Sequence, residues 1–323
     1  MPETRDLPLA DARALIARAI DKAEQLGLRG GIAVVGATGA LVSTSRMDRG
    51  GAGGMARARS KAWISATQQI PSAEHLGRMN FVSAPVEKGF VLCSPEAAFP
   101  GAGGMPVLDG DEVVGGIAAS GATVSPFFPA GVEQQRMIAD GRPANPEDLL
   151  IHYALRLPYA GQHGDDDARW ARSFGPFPDD APAGLGMAEA PRAALQTELD
   201  AAIRLADAAL AAADRLGARI SVAVVDRRGD PIQQDSTDGA ATAASFLAPA
   251  LAAAAATFEL ASEAIGARWT EGALARLLPF PVATVAGGLP WTDGDRVRGG
   301  LGVAGPDPLL AAEIARAALA DAR

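Results

Sequence analysis

The sequence repeats itself, and this repeat constrains the fold more than any other feature. Residues 26–35, a Leu-Gly pair followed by a β-branched run, return as residues 216–225, so that Ala33 corresponds to Ala223 at an offset of 190. A second block, 103–117, with a Gly-Gly pair, a proline and a Gly-Asp turn, returns as 287–301 at an offset of 184. Two blocks in the same order indicate a head-to-tail duplication.

Each copy predicts the same order of elements, helix–strand–strand–helix–strand–strand. Apolar residues at helical spacing end at a glycine, and short β-branched runs flank Gly turns, which is typical of hairpins. This order predicts an α+β fold in which each copy packs helices against an antiparallel sheet. The predicted helices cover 15–27, 55–69, 205–217 and 242–265, and the predicted strands 32–35, 41–45, 112–119, 220–225, 231–234 and 296–303.

The repeat divides the chain into a first domain at 1–121, a Pro- and Gly-rich linker at 122–191 and a second domain at 192–323. The linker predicts one helix, with Asn145 as N-cap, Pro146 at the first position and the acidic pair Glu147-Asp148 in the first turn. The linker also concentrates aromatic side chains, and we expect it to fold over a neighbouring groove as a lid or interface arm. These side chains are Phe127, Phe128, Tyr153, Tyr159 and Trp170.

Composition excludes several classes of partner. A net charge of −9 and a pI near 4.9 argue against nucleic acid, because phosphate binding requires clustered Lys and Arg. The sequence begins without an apolar signal segment and has no apolar run of the roughly 20 residues that would span a bilayer. With one cysteine, Cys93, the composition predicts a soluble, cytoplasmic bacterial protein without membrane or disulfide.

Several ordered motifs resemble the GlcG/HbpS (DUF336) haem-binding-like family. They are the strand at 32–35, Arg46-Met47-Asp48, Lys61-Ala62, the Gly-Gly-x-Pro block at 103–106 and the Gly-Asp hairpin at 110–121. The resemblance implies two profilin-like domains in tandem, assembly into a homo-oligomer, and a small-molecule ligand that is haem in some members. A fold alone does not define the function.

The second copy departs from this pattern. Ser236-Thr237-Asp238 stands where the first copy has Arg46-Met47-Asp48, and Leu251 stands opposite Lys61. Residues 192–323 contain no His, Cys, Met, Tyr or Lys, so they offer neither the usual haem-iron ligands nor a Schiff-base lysine. We therefore expect the second copy to be structural and the ligand site to lie in the first copy.

The first copy holds basic and acidic side chains around a glycine loop at 50–54. Arg46, Asp48 and Lys61 would bind an anionic ligand beside outward-facing backbone N–H groups and the N-terminus of the next helix. The alternative is a flexible loop before a solvated basic helix face, with Arg46 paired to Asp48. Both interpretations remain open on the sequence.

Further candidates are Gly103, Gly104, Ser120 and His75. The glycines predict a tight bend that allows close approach of a ligand, and Ser120 either lines a pocket or belongs to a turn. His75 is the candidate haem ligand or general base, with a surface histidine at a helix start as the alternative. The three histidines show no metal-ligand spacing, and no metal site is predicted.

These residues leave three hypotheses. The first is a small-molecule-binding protein, with haem as the candidate ligand in the first copy. The second is a catabolic enzyme for a small anionic substrate, in which Arg46 and Lys61 bind and His75 or Asp48 transfers a proton. The third is a structural assembly subunit. No nucleophile–base pair is visible in the sequence, which favours binding over catalysis.

Overall fold

The computed structural model describes residues 6–79, 86, 88–90, 98–99, 101–122, 146–157, 189–192, 196–269 and 281–322. The chain forms two compact units. The first comprises Met1–Ala40 and Arg46–Leu195, and the second comprises Leu41–Ser45 and Gln196–Arg323. Among the described residues, no helix has the length and apolar character needed to cross a membrane.

Both copies contain the predicted order of helices and strands, together with a short helix after the second helix of each copy and a C-terminal helix that this order lacks. The helices are α1 (Leu9–Gln25), α2 (Gly53–Gln68), α3 (Ser72–Met79), α4 (Pro146–Leu155), α5 (Thr197–Arg215), α6 (Thr242–Phe258), α7 (Ser262–Gly266) and α8 (Pro308–Asp321). The strands are β1 (Gly31–Gly36), β2 (Leu41–Arg46), β3 (Gly104–Asp109), β4 (Glu112–Ser120), β5 (Ser221–Asp226), β6 (Pro231–Ser236), β7 (Gly288–Asp293) and β8 (Arg296–Ala304).

In the first unit, β4 pairs antiparallel with both β3 and β1, and α2 packs on these strands. Close packing explains a glycine in β4. A Cβ on Gly116 would lie 2.2 Å from the carbonyl oxygen of Ala62 in α2, so a larger residue would push the helix away from the strand. The fully buried β1 lies beside β4 and contributes to the apolar core.

The second unit repeats this arrangement with β7, β8 and β5, and α6 packs on β8 through alanines. It also contains β2, which lies in the first copy of the repeat. This strand pairs with β6 through Ser43–Asp235, Thr44–Gln234 and Ser45–Gln233. Both units combine helices with an antiparallel sheet, which confirms the predicted α+β fold.

One predicted helix is divided in two. The sequence predicts a single helix over 242–265, but α6 ends at Phe258 and α7 begins at Ser262. The break follows from Glu259, which adopts a left-handed conformation (φ 55°) that stops the helical hydrogen-bond ladder. The continuous-helix prediction was therefore wrong at this point, because the alanine-rich periodicity continues across the break.

The helix predicted after Asn145 is present as α4 and lies in the first unit against α1. Nε of Arg18 donates to the carbonyl oxygen of Ala154 at 3.2 Å, and Nη2 donates to that of Tyr153 at 3.1 Å. Nζ of Lys22 lies 4.3 Å from the ring centroid of Tyr153. The positively charged guanidinium of Arg18 binds the last carbonyl oxygens of α4, where the helix dipole is negative. This contact holds α4 against α1.

Candidate functional site

Lys61 of α2 is buried at the centre of a hydrogen-bonded cluster in the first unit. Its Nζ donates to the carbonyl oxygens of Ala102 and Ala119 at 2.6 and 2.9 Å and to Oε2 of Glu147 at 2.6 Å. Both side chains of the Lys61–Glu147 ion pair are 2% exposed. An ammonium group has three N–H donors, so these contacts use all of them.

The two acidic residues in the first turn of α4 complete this cluster. The second carboxylate oxygen of Glu147, Oε1, accepts from the backbone N–H of Ala122 at 3.0 Å. Oδ1 of Asp148 accepts from the N–H of Gly103 at 2.7 Å. Burial raises the pKa of Asp148 to about 7, although the charge of Lys61 and the Gly103 hydrogen bond lower it.

The sequence did not predict that Glu147 and Asp148 belong to this cluster. It predicts them only as favourable charges at a helix start. The sequence shows only an Asn-Pro-Glu-Asp motif that begins a helix. This motif does not indicate that Glu147 contacts Lys61, which lies 86 residues earlier in the chain. The tertiary fold makes this contact.

The structure brings four of the predicted residues into one neighbourhood. Lys61 contacts the carbonyl oxygen that precedes Ser120, and a Cβ on Gly104 would lie 3.0 Å from the Lys61 carbonyl oxygen. Gly103 has φ +104°, which only glycine adopts readily, and the N–H of Gly104 donates to Oγ of Ser72. The predicted tight bend is thus present, and protein atoms fill the space beside it.

Ser120 and the glycine loop lie at the other end of the same helix face. Nε of Arg57 donates to Oγ of Ser120 at 3.3 Å. Arg46 ends β2 and is 9% exposed, and Asp48 is half-buried in the turn that follows. A Cβ on Gly50 would lie 3.3 Å from Cγ of Arg46, so the start of the loop packs on this side chain.

The second unit carries apolar residues at the positions that correspond to this polar face. Residues four apart share one face of a helix, and α2 presents Arg57, Lys61 and Ser65 in this way. The corresponding residues of α6 are Leu247, Leu251 and Ala255, and Ala304 corresponds to Ser120. A Cβ on Gly287, which corresponds to Gly103, would meet Leu251 Cδ1 and Ala311 Cβ, so Ala311 occupies the place of Glu147. The fold therefore does not require these polar groups.

His75 of α3 is buried, with 3% of its surface exposed, so the alternative of a surface histidine is wrong. Its ring centroid lies 4.6 Å from that of Phe90, which packs on a cluster of Trp63, Ile64 and Ala98. Nε2 has no hydrogen-bond partner among the described residues. Burial lowers the pKa of His75, and the nearby charge of Arg78 lowers it further.

The corresponding position in the second copy is Ile265, which is fully buried beside Ala254 and Phe258. A buried polar atom without a partner costs about 1–3 kcal/mol of stability. Ser65 Oγ, also buried and without a partner in the described residues, corresponds to Ala255. The first copy therefore holds polar groups at places where its own duplicate holds hydrocarbon.

An open cleft of ≈ 470 Å³ lies elsewhere on the first unit and contains none of the predicted site residues. It lies between the start of α1, the β3–β4 hairpin and the end of α4. Its charged lining residues are Asp6, Asp11, Arg18, Asp109 and Arg156. Arg18 binds the α4 carbonyls described above, so this cleft and the Lys61 cluster lie at opposite ends of α4.

Among the described residues, no three His, Cys, Asp or Glu side chains are grouped as metal ligands. Cys93 and His163 lie outside the described residues, as do Phe127, Phe128, Tyr159 and Trp170 of the predicted lid.

The comparison with protein families agrees with the repeat. A family model described as haem degrading protein HbpS-like matches residues 7–125 and again residues 198–320. The chain belongs to this HbpS-like family. Two matches in one chain confirm the tandem duplication, and the predicted GlcG/HbpS (DUF336) resemblance is confirmed with them.

Solved structures match about one repeat each. A double mutant of Streptomyces reticuli HbpS is 33% identical, covering 42% of this chain and 97% of that chain with a TM-score of 0.36. A PduOC:heme complex is 27% identical, covering 39% and 94%, and Klebsiella pneumoniae ORFY, a DUF336 protein, is 24% identical, covering 38% and 88%; both have TM-scores of 0.36. A comparison with curated proteins found no significant match.

Proposed function

We propose that this HbpS-like chain binds a small molecule through its first copy, at His75, and that the ligand is haem. The second copy serves as a structural partner. The observation that carries the proposal is the buried imidazole of His75, whose Nε2 has no hydrogen-bond partner among the described residues.

The side chains described around His75 have the chemistry that a haem site needs. An iron ligand must be a neutral imidazole with a free nitrogen lone pair, and the lowered pKa of His75 keeps the ring neutral at pH 7. Phe90 and the Trp63 cluster supply the apolar, aromatic neighbours that a porphyrin requires. The family description, haem degrading protein HbpS-like, supports the same ligand.

Each of these side chains has a defined role in this proposal. His75 would hold the iron through Nε2, and Phe90 with Trp63 would exclude water from that nitrogen. When bound, haem would supply redox chemistry at its iron. The polar groups at Ser65 and Lys61 distinguish this copy from the second, in which Ile265 takes the place of the histidine.

The catabolic-enzyme hypothesis has less support. It assigns Lys61 to the binding of an anionic substrate, but Glu147 and two backbone carbonyls use all three of the Lys61 donors. A substrate carboxylate would first have to displace Glu147. Arg46 and Asp48 remain candidates for anion binding under that hypothesis.

We expect haemin to produce a saturable Soret shift at one haem per chain, and His75→Ile to weaken binding at least about tenfold because it removes the nitrogen that would bind the iron. Isoleucine is the residue of the second copy, so it suits a buried site of this fold. The measurement is absorbance titration, with circular dichroism to check folding.

His163→Ala is the control, because it removes a histidine of the linker and leaves His75 in place. We expect this variant to bind haemin with the affinity of the wild type. A Soret shift that persists unchanged in His75→Ile would overturn the assignment of His75. No saturable shift, together with thermal stabilisation by a small carboxylate that Arg46→Ala abolishes, would support the enzyme hypothesis instead.

Several properties stay predictions: a homo-oligomer, a cytoplasmic location, the domain boundaries at 121 and 192, and the lid role of 122–191. Replacing residues 123–145 and 158–188 by short glycine-serine linkers, which keeps α4, tests the lid. Unchanged oligomer size and haemin affinity in this variant would contradict it.

A further inference from the structure

The cleft beside the end of α4 has no role in the proposed function. Its volume of ≈ 470 Å³ lies within the range of about 300–1,000 Å³ that is usual for small-molecule sites. Leucines and valines form much of its wall, among them Leu15, Val107, Leu108 and Leu155, together with charged side chains of both signs. A concave site with an apolar wall and a few charged groups is suited to a small amphipathic ligand.

Two side chains of opposite charge line the cleft and remain available to a ligand. Neither the carboxylate of Asp11, in the first turn of α1, nor the guanidinium of Arg156, just after α4, makes a hydrogen bond or an ion pair with any described residue. They share the cleft but do not pair with each other. Arg18 differs from them, because its Nε and Nη2 bind the α4 carbonyls. The cleft therefore offers one positive and one negative group to a ligand that carries both signs.

The backbone holds Arg156 in a conformation that favours glycine. Its φ is 56°, and its N–H donates to the carbonyl oxygen of Tyr153, while the N–H of Leu157 donates to that of His152. This is the usual pattern for ending a helix at a left-handed residue. An arginine is strained there, so the helix end does not explain its presence. Strained residues are common at ligand sites, and the guanidinium of Arg156 lines the cleft.

The second copy lacks both of these charges. At the offset of 190, Asp11 corresponds to Ala201 of α5. In the match of α4 with α8 used above, Arg156 corresponds to Ala320, which is an ordinary helical residue of α8. Both elements form in the second copy with alanine at these positions, so the fold does not require the charges.

The second copy also carries larger side chains where the first copy forms the cleft wall. At the offset of 184, Val107 corresponds to Trp291 and Val114 corresponds to Arg298. Cζ of Arg298 lies 4.6 Å from the centroid of the Trp291 ring, so these two side chains stack on each other. A stacked tryptophan and arginine occupy much more space than two valines. The open volume of the cleft thus depends on small side chains that belong to the first copy.

We propose that this cleft binds a small zwitterion with an apolar side chain, namely an apolar α-amino acid. Its carboxylate pairs with Arg156, its ammonium group pairs with Asp11, and its side chain packs on the apolar wall. This inference goes beyond the proposed function and does not depend on it, because His75 and its neighbours do not line the cleft.

The charges of the cleft select against ligands with a single charge. Three carboxylates, those of Asp6, Asp11 and Asp109, line it and repel an anion that has no ammonium group. The guanidinium groups of Arg18 and Arg156 repel an amine that has no carboxylate. Specificity of this kind arises from unpaired or repelling charges as much as from attraction.

Isothermal titration calorimetry of the full chain with L-leucine tests the proposal. Two temperatures are used, so that a binding enthalpy near zero at one of them does not hide binding. We expect saturable binding of one leucine per chain. Isocaproate and isoamylamine have the same apolar body but lack the ammonium group and the carboxylate, respectively, and each should bind at least about tenfold more weakly.

Variants of the cleft assign the contacts. Arg156→Asn and Asp11→Asn should each weaken leucine binding at least about tenfold, and asparagine tolerates the left-handed conformation of residue 156. Arg49→Asn is the matched control, because Arg49 is also an exposed arginine with a positive φ of 64° but lies outside the cleft. It should bind leucine as the wild type does. Val107→Trp/Val114→Arg installs the stacked pair of the second copy and should abolish binding although both charges remain.

The absence of saturable binding up to about 10 mM leucine at both temperatures would overturn the proposal. Isocaproate or isoamylamine binding as tightly as leucine would overturn it too, as would an unchanged affinity in Arg156→Asn or Asp11→Asn. Circular dichroism checks that each variant folds, and Asp11→Asn decides alone if Arg156→Asn does not. Haemin titration of Arg156→Asn should match the wild type, and a joint loss of haemin and leucine binding would contradict a separate site.

Discussion

Lys61→Leu should lower the free energy of unfolding by about 3–5 kcal/mol, the usual cost of leaving one member of a buried ion pair without its partner. The variant leaves the carboxylate of Glu147 buried, and it removes the donor to the carbonyls of Ala102 and Ala119. Leucine is the residue at this position in the second copy, so its size suits the site. Urea denaturation followed by circular dichroism measures the change.

The matched control is the double variant Lys61→Leu/Glu147→Ala, which installs the pair of the second copy. We expect it to be more stable than Lys61→Leu alone, with a coupling of about 1–3 kcal/mol between the two sites. Additive losses would contradict the interpretation of Lys61 and Glu147 as one charge-balanced unit. A Lys61→Leu variant as stable as the wild type would contradict it as well.

Gly103→Ala should destabilise the first unit by about 2–6 kcal/mol, because backbone strain of about 1–3 kcal/mol adds to a similar cost of overpacking. Gly103 has φ +104°, and a Cβ there would lie 2.8 Å from Cβ of Glu147 and 2.9 Å from the carbonyl oxygen of Ala119. Thermal and urea denaturation of the purified variant measure the loss.

Gly110→Ala separates the two contributions. Gly110 also has a positive φ of +63°, but nothing lies within 4 Å of a Cβ at this position. Its substitution should cost only the backbone term, about 1–2 kcal/mol. Equal losses in the two variants would show that contact with Glu147 adds no cost at the Gly103 turn.

Much of the fold was predictable because periodicity and turn residues act locally. The glycine that ends α1, the β1 strand and the Gly-Asp hairpin between β3 and β4 were predicted, and the repeat supplied the same elements for the second unit. The break between α6 and α7 was not predicted, because alanine favours helix on both sides of Glu259. The pairing of β2 with β6 was not predicted either, since local sequence does not choose a strand's distant partner.

The candidate site, like the fold, was only partly predictable from the sequence. Lys61, Ser120 and His75 were selected because the second copy lacks them, and Gly103 and Gly104 because both copies repeat them at a tight bend. Whether Lys61 meets a ligand or a protein carboxylate was open, and the fold places Glu147 on it. The burial of His75 was equally open, since an amphipathic helix start does not say which face meets the core.

The sequence by itself determined that the chain is a duplicated α+β protein of the HbpS-like family and that its first copy keeps the reactive side chains. Both conclusions follow from the order of the residues and from comparing the sequences of the two copies, so they do not require the structure. Tertiary structure decided what those side chains contact: Glu147 and Asp148 reach the Lys61 cluster, and His75 packs on Phe90 beside an apolar cluster. Such contacts depend on how distant segments pack, because burial and charge balance arise only when separate elements exclude water together.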